Sequence, residues 1–261
     1  MFIVLFSCIC FFASVIGAIC GIGGGIIIKP VLDSIGFMDA NEINFLSGCT
    51  VLSMTSYSVL RNKRVNASNL QSKTGFPLAV GAAIGGILGK QIFTIILSSG
   101  SDKNKISALQ AVCLLFITIG TLIYTLNMEQ IRSFHISNTF FCLIIGSFLG
   151  IISSFLGIGG GPLNLVVLFY FFSMDTKTAA KNSLYIIFFS QTASLLFSVI
   201  TKQVPDFIFN MLLLMIFCGI SGGILGRYIN KKLPVKVVDK LLKGLMVVII
   251  CINIYNIYQF I

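Results

Sequence analysis

Tryptophan is absent from this chain, histidine occurs once, and only 10% of the residues are charged. A soluble domain carries roughly 25% charged residues, so the scarcity of charge argues against one. The eight carboxylates, Asp33, Asp39, Glu42, Asp102, Glu129, Asp175, Asp206 and Asp239, fall in loops or at the ends of apolar runs. A cation site or carboxylate proton relay needs acid inside a membrane span, so this distribution favours an anion pathway. The eight cysteines are scattered, with no CxxC and no Cys/His cluster, which gives no metal site and no disulfide framework. His135 stands alone in a central loop. Without an intramembrane histidine, acid pair or metal cluster, an enzyme is disfavoured and no cofactor is implied.

Long apolar runs are abundant instead: 56% of the residues are hydrophobic and the mean hydropathy is +1.00. They lie near 2–20, 22–37, 43–60, 75–97 and 107–127, then near 138–156, 158–173, 183–200, 206–226 and 237–260. Runs of about 18 or more residues span a hydrocarbon core of about 30 Å. The short alternating segments of a membrane β-barrel are missing. The chain therefore reads as an all-α integral membrane protein. The first run has no basic n-region and continues into the next, so it is expected to stay in the mature protein. The net charge of +10 is concentrated between the runs, where it sets topology and meets anionic lipid rather than nucleic acid.

The two sets of runs are copies. A shift of 136 residues lays Gly21–Gly25 on Gly157–Gly161, Met38-Asp39 on Met174-Asp175, Ser47 on Ser183 and Ser58 on Ser194. One further residue lays "GGILGK" on "GGILGR". This predicts about eight hydrophobic segments in two four-segment repeats, each with a glycine-broken first segment. The first repeat covers 1–127, the connecting loop 128–137, and the second repeat 138–261. Duplicated membrane proteins are often transporters with a site at the repeat interface. If each break turns the chain back, each half crosses three times and the second half is inverted. The two most basic loops, 61–73 and 227–243, then share the inner face, and this charge pattern favours inversion.

"GIGGG" at Gly21 and again at Gly157 is the unusual feature. Broken backbone survives in a bilayer only inside protein or beside a water-filled cavity. Glycine lets a ligand approach freed amides, and a helix beginning at the break turns its positive dipole end towards an anion. The motifs are not nucleotide loops, because GxGxxG fails at Ile26 and Pro162. "GAAIGG" and "GGILG" read as close helix packing. Candidate site residues are thus Gly23, Gly24, Gly25, Gly159, Gly160 and Gly161, with Asn164, Asn182 and Gln191 as intramembrane amides. Ser47, Thr50 and Ser183 join them from the segments that follow the breaks. Lys29 and Lys181 are expected to snorkel to the interface.

The paired "GIGGG" motifs, followed by "NFLSGCTVLSMTSYSVLRNKRVN" and "AAKNSLYIIFFSQTASLLFSVI", resemble the sulfite exporter TauE/SafE family of membrane permeases. The resemblance covers essentially the whole chain. It places the family's glycine motifs at Gly21, Gly23, Gly24 and Gly25 and at Gly157, Gly159, Gly160 and Gly161. The family's polar position falls at Ser47 with Thr50, and at Ser183. It implies a multi-pass permease of the bacterial cytoplasmic membrane moving sulfite, sulfonates or related sulfur-containing anions. Alternating access, a small anionic substrate and the lipid bilayer as surroundings follow. An anion channel, an enzyme or a homo-oligomer is left open.

Overall fold

A computed structural model describes residues 2–65, 74–98, 103–128 and 130–260. Part of the basic loop 61–73 lies outside the described residues, as do Asp102 and Glu129. The described residues form ten helices: α1 (Phe2–Cys20), α2 (Gly25–Ile35), α3 (Ala40–Val65), α4 (Gly75–Ser98), α5 (Lys103–Leu126), α6 (Thr139–Leu156), α7 (Gly161–Phe172), α8 (Thr176–Ile200), α9 (Phe209–Lys232) and α10 (Val235–Phe260). Six of them, α3, α4, α5, α6, α8 and α9, are long and apolar enough to cross a membrane. With 11 and 12 residues, α2 and α7 reach only about 16–18 Å, roughly half of a hydrocarbon core.

Local chemistry sets the helix ends. Asn138 caps α6 by accepting from the Phe140 amide, and Asp175 caps α8 by accepting from the Thr178 amide. Gly36 and Gly157 end α2 and α6 in the left-handed conformation. Pro162 sits in the first turn of α7, where no amide partner is lost.

Small residues set the tightest contacts. Gly81, Gly85 and Gly89 of α4 lie against the backbone of Leu143, Ser147 and Ile151 of α6, so the two helices run side by side in one direction. In the same way Gly222 and Gly226 of α9 follow Phe11 and Val15 of α1. Gly219 and Gly223 of α9 follow Thr50 and Met54 of α3. On α8, Asn182 and Ser190 face Gly75 and Gly86 of α4 in turn. Helix α3 opposes α8, since Gly48 meets Gln191 while Val51, three residues later, shares neighbours with Ile187, four residues before Gln191. Accordingly α1, α3 and α9 point one way and α4, α6 and α8 the other. The fourth helix of each set of five packs on the first helix of the other set.

Polarity is distributed inside out. Phe116 is 70% exposed and Phe217 69%, whereas Ser47, Thr50, Asn164, Ser183 and Ser190 are fully buried. Apolar side chains face outward, as a lipid-facing surface requires, and hydroxyls and amides converge within.

Candidate functional site

The two glycine breaks meet inside the bundle. After Cys20 the chain doubles back: Gly24 lies beside Ser14, and Ile28 and Leu32 of α2 share an apolar cluster with Phe6 and Cys10 of α1. Gly23 (φ 74°) and Gly159 (φ 77°) hold left-handed backbone that a side chain would strain, and both sit against Val51 and Ile187. Those two residues lie near the middle of α3 and α8, so the breaks occupy the mid-depth of the bundle. A side chain at Gly25 would strike the Ile158 carbonyl, and one at Gly161 would strike Ile26. Each break thus presses directly on the other.

Both short helices start here without a side-chain cap: Gly24 precedes α2 and Gly160 precedes α7. An uncapped first turn leaves amides without intrahelical partners and carries the positive end of the helix dipole. Around them stand side chains that lack hydrogen-bond partners. Both amide atoms of Asn164 are buried and unpaired, folded over Gly160. Gln191 Nε2 is unpaired near Gly159. Buried polar groups without partners are few in native proteins and call for an explanation, and a small polar ligand supplies one.

The remaining predicted positions differ in what they do. Ser47 donates to the Gly157 carbonyl at 2.9 Å, tying α3 to the second break. Its counterpart Ser183 is buried with no partner. Thr50 donates to the Leu46 carbonyl of its own helix at 2.8 Å and packs under Gly219, which turns its hydroxyl to helix packing. Asn182 donates to the Thr178 carbonyl and faces Gly75, so the structure does not bring it to the breaks.

Two side chains at the breaks are missing from the sequence reading. Asn44, one turn before Ser47, lies against Gly157 with both amide atoms unpaired, and Ser14 lies against Gly24 with its hydroxyl unpaired. An amide one helical turn from a candidate serine was the available signal for Asn44. Lys29 also departs from expectation. Far from snorkelling, it is buried and holds an ion pair with Asp33 at 3.0 Å, so a carboxylate does lie buried in a helix.

Comparison with known proteins points to a membrane transporter. The chain is similar to the probable membrane transporter protein YunE of Bacillus subtilis (strain 168), with 23% identity covering 94% of each chain. No solved structure matches it. Residues 6–254 match the family description "Sulfite exporter TauE/SafE", and the chain belongs to that family of membrane transporters.

Proposed function

We propose that this protein is a secondary transporter that moves a small anion, of the sulfite or sulfonate class, across the bacterial cytoplasmic membrane. The observation that carries the reading is the meeting of two uncapped helix starts, Gly25 and Gly161, beside the unpaired amides of Asn164 and Gln191. Freed backbone amides and side-chain amide N–H groups are donors, the two helix starts add positive potential, and a desolvated oxyanion is a ligand made of acceptors. The opposed directions of α3 and α8, and of α1 and α6, support an inverted repeat with the breaks at its interface. Such pairs alternate access by rocking one half against the other around a fixed midplane site. The sulfur class rests on the family; the uncapped helix starts and the unpaired amides support the sign of the ligand.

Flux of labelled sulfite into vesicles containing the purified protein tests this. Transport that saturates and can be driven uphill by a gradient of another solute is expected. Currents that run only downhill would place the protein with anion channels, the alternative reading, and absence of any anion flux would overturn both.

A further inference from the structure

Helix α2 carries a buried ion pair that its repeat partner α7 lacks. Lys29 Nζ lies 3.0 Å from Asp33 Oδ2, with the side chains 2% and 5% exposed. The shift of 136 residues places Leu165 and Phe169 of α7 at these positions, and both are buried apolar residues. The fold thus accepts hydrocarbon here, as α7 demonstrates. Burying two charges costs desolvation that their attraction often fails to recover, so stability alone does not account for the pair. Ionisable groups inside a membrane bundle are expensive and mark ion or proton paths.

Asp33 Oδ1 has no hydrogen-bond partner, and Asp33 lines a cavity of about 270 Å³ with Asp39, Glu42, Asn104 and Ser107. Asp39 and Glu42 also line an adjoining cavity of about 360 Å³ that reaches Asp206. Four of the chain's eight carboxylates therefore surround one approach, in a protein of net charge +10. A concentration of acid attracts cations, and protons with them. Among the described residues no three His, Cys, Asp or Glu side chains are grouped to hold a metal ion, whereas a proton needs a single carboxylate.

We infer that Asp33 is the proton acceptor that couples anion movement to the proton gradient, with Lys29 as its internal counter-charge. This rests on the transport reading above. A proton delivered from hydronium on the cavity side adds to the Asp33 carboxylate and turns it into a neutral acid, leaving water behind. Lys29, one turn from the start of α2 at Gly25, is then an uncompensated buried cation. A buried cation there raises the affinity of the adjacent break for an anion, so proton and anion load together. Loss of the proton restores the pair and releases the anion. The charged or titratable groups around Asp33 are Lys29 on its own helix, Asp39 before α3, Glu42 on α3, and the Cys10 thiol of α1 packed near Leu32. Helix α10 contributes Phe260 to the cavity and Asn256, which donates to the Pro30 carbonyl at 2.9 Å, and α5 contributes Asn104 and Ser107.

Two measurements test the inference with sulfite as probe. In vesicles, a gradient of about one pH unit should sustain about tenfold sulfite accumulation by the wild type if one proton accompanies each anion. Asp33→Asn should lose that accumulation and bring sulfite only to equal concentrations. Accumulation by Asp33→Asn equal to wild type, or wild-type accumulation driven by sodium instead, overturns the assignment. Because Asp33→Asn leaves Lys29 unpaired, the double variant Lys29→Leu/Asp33→Leu, which copies the apolar character of α7, is measured beside it with the same expectation. The second measurement needs no transport: an infrared titration should show a protonated-carboxyl band in wild type that is missing from both variants. Identical titrations overturn the inference. A wild type that shows the band and carries no sulfite keeps Asp33 as proton acceptor and rejects the transport reading instead.

Discussion

Asn164 and Gln191 were legible as candidates because an amide inside an apolar run has few structural uses, and both lie at the breaks with atoms unpaired. Ser47 and Ser183 were legible only as a pair, and the structure separates them. The Ser47 hydroxyl bonds to the backbone of the second break, whereas Ser183 bonds to nothing. Ser47→Ala should therefore cost about 1 kcal/mol or more of stability, since it leaves a buried carbonyl short of a donor. Ser183→Ala should be near neutral, and thermal unfolding in detergent of the two variants checks the contrast. Lys29 and Asp33 were misjudged by treating each alone. Their i,i+4 spacing within a helical run already matched them as an ion pair, which removes the need to reach the interface.

Among elements, the long helices follow directly from apolar length, and their tight seams from the glycine patterns. Gly85 packs on the Ser147 carbonyl, so Gly85→Leu should force α4 and α6 apart, at a cost of about 1–3 kcal/mol or more, read as a lower unfolding temperature. The short helices were harder to place, because glycine frequency shows that a helix stops without showing where the chain goes next. That is decided by tertiary contacts such as Gly24 on Ser14. The start of α8 gives a pH test. Burial acts to raise the Asp175 carboxyl, but hydrogen bonds from the Thr178 side chain and from the Thr178 and Lys177 backbone outweigh it and hold it below 3.8. A depressed folded value means that the charged cap stabilises at pH above the ordinary carboxylate range and loses that contribution as pH falls through the folded value. Asp175→Asn keeps a capping side chain without the charge, so its unfolding temperature should fall less steeply than wild type on acidification below about pH 4.

For the whole molecule, the duplication was legible from repeated residues at a constant offset, and loop charge leaned towards inversion. Charge alone could not carry the point, since basic residues were nearly balanced between the two arrangements, and part of loop 61–73 lies outside the described residues. Helix directions carry it further: α3 and α9 run the same way, which puts the loops that follow them on one face. In a cysteine-free background, Lys63→Cys and Lys231→Cys should be labelled from one side of the membrane and Lys202→Cys from the other. Labelling of Lys63→Cys and Lys231→Cys from opposite sides would require parallel halves.

The central claim is that the two breaks form one anion site, and anion-dependent thermal stabilisation tests it most directly. The purified protein is heated with a panel of sulfite, sulfonates, sulfate and carboxylates, beside Asn164→Leu. An anion at about 100 times its dissociation constant should stabilise the wild type by about 2.7 kcal/mol. Asn164→Leu removes two unpaired buried polar atoms, so it should unfold at the same or a higher temperature without ligand and lose most of the anion response. A wild type indifferent to every anion, or an Asn164→Leu variant that responds as strongly as wild type, would contradict the account.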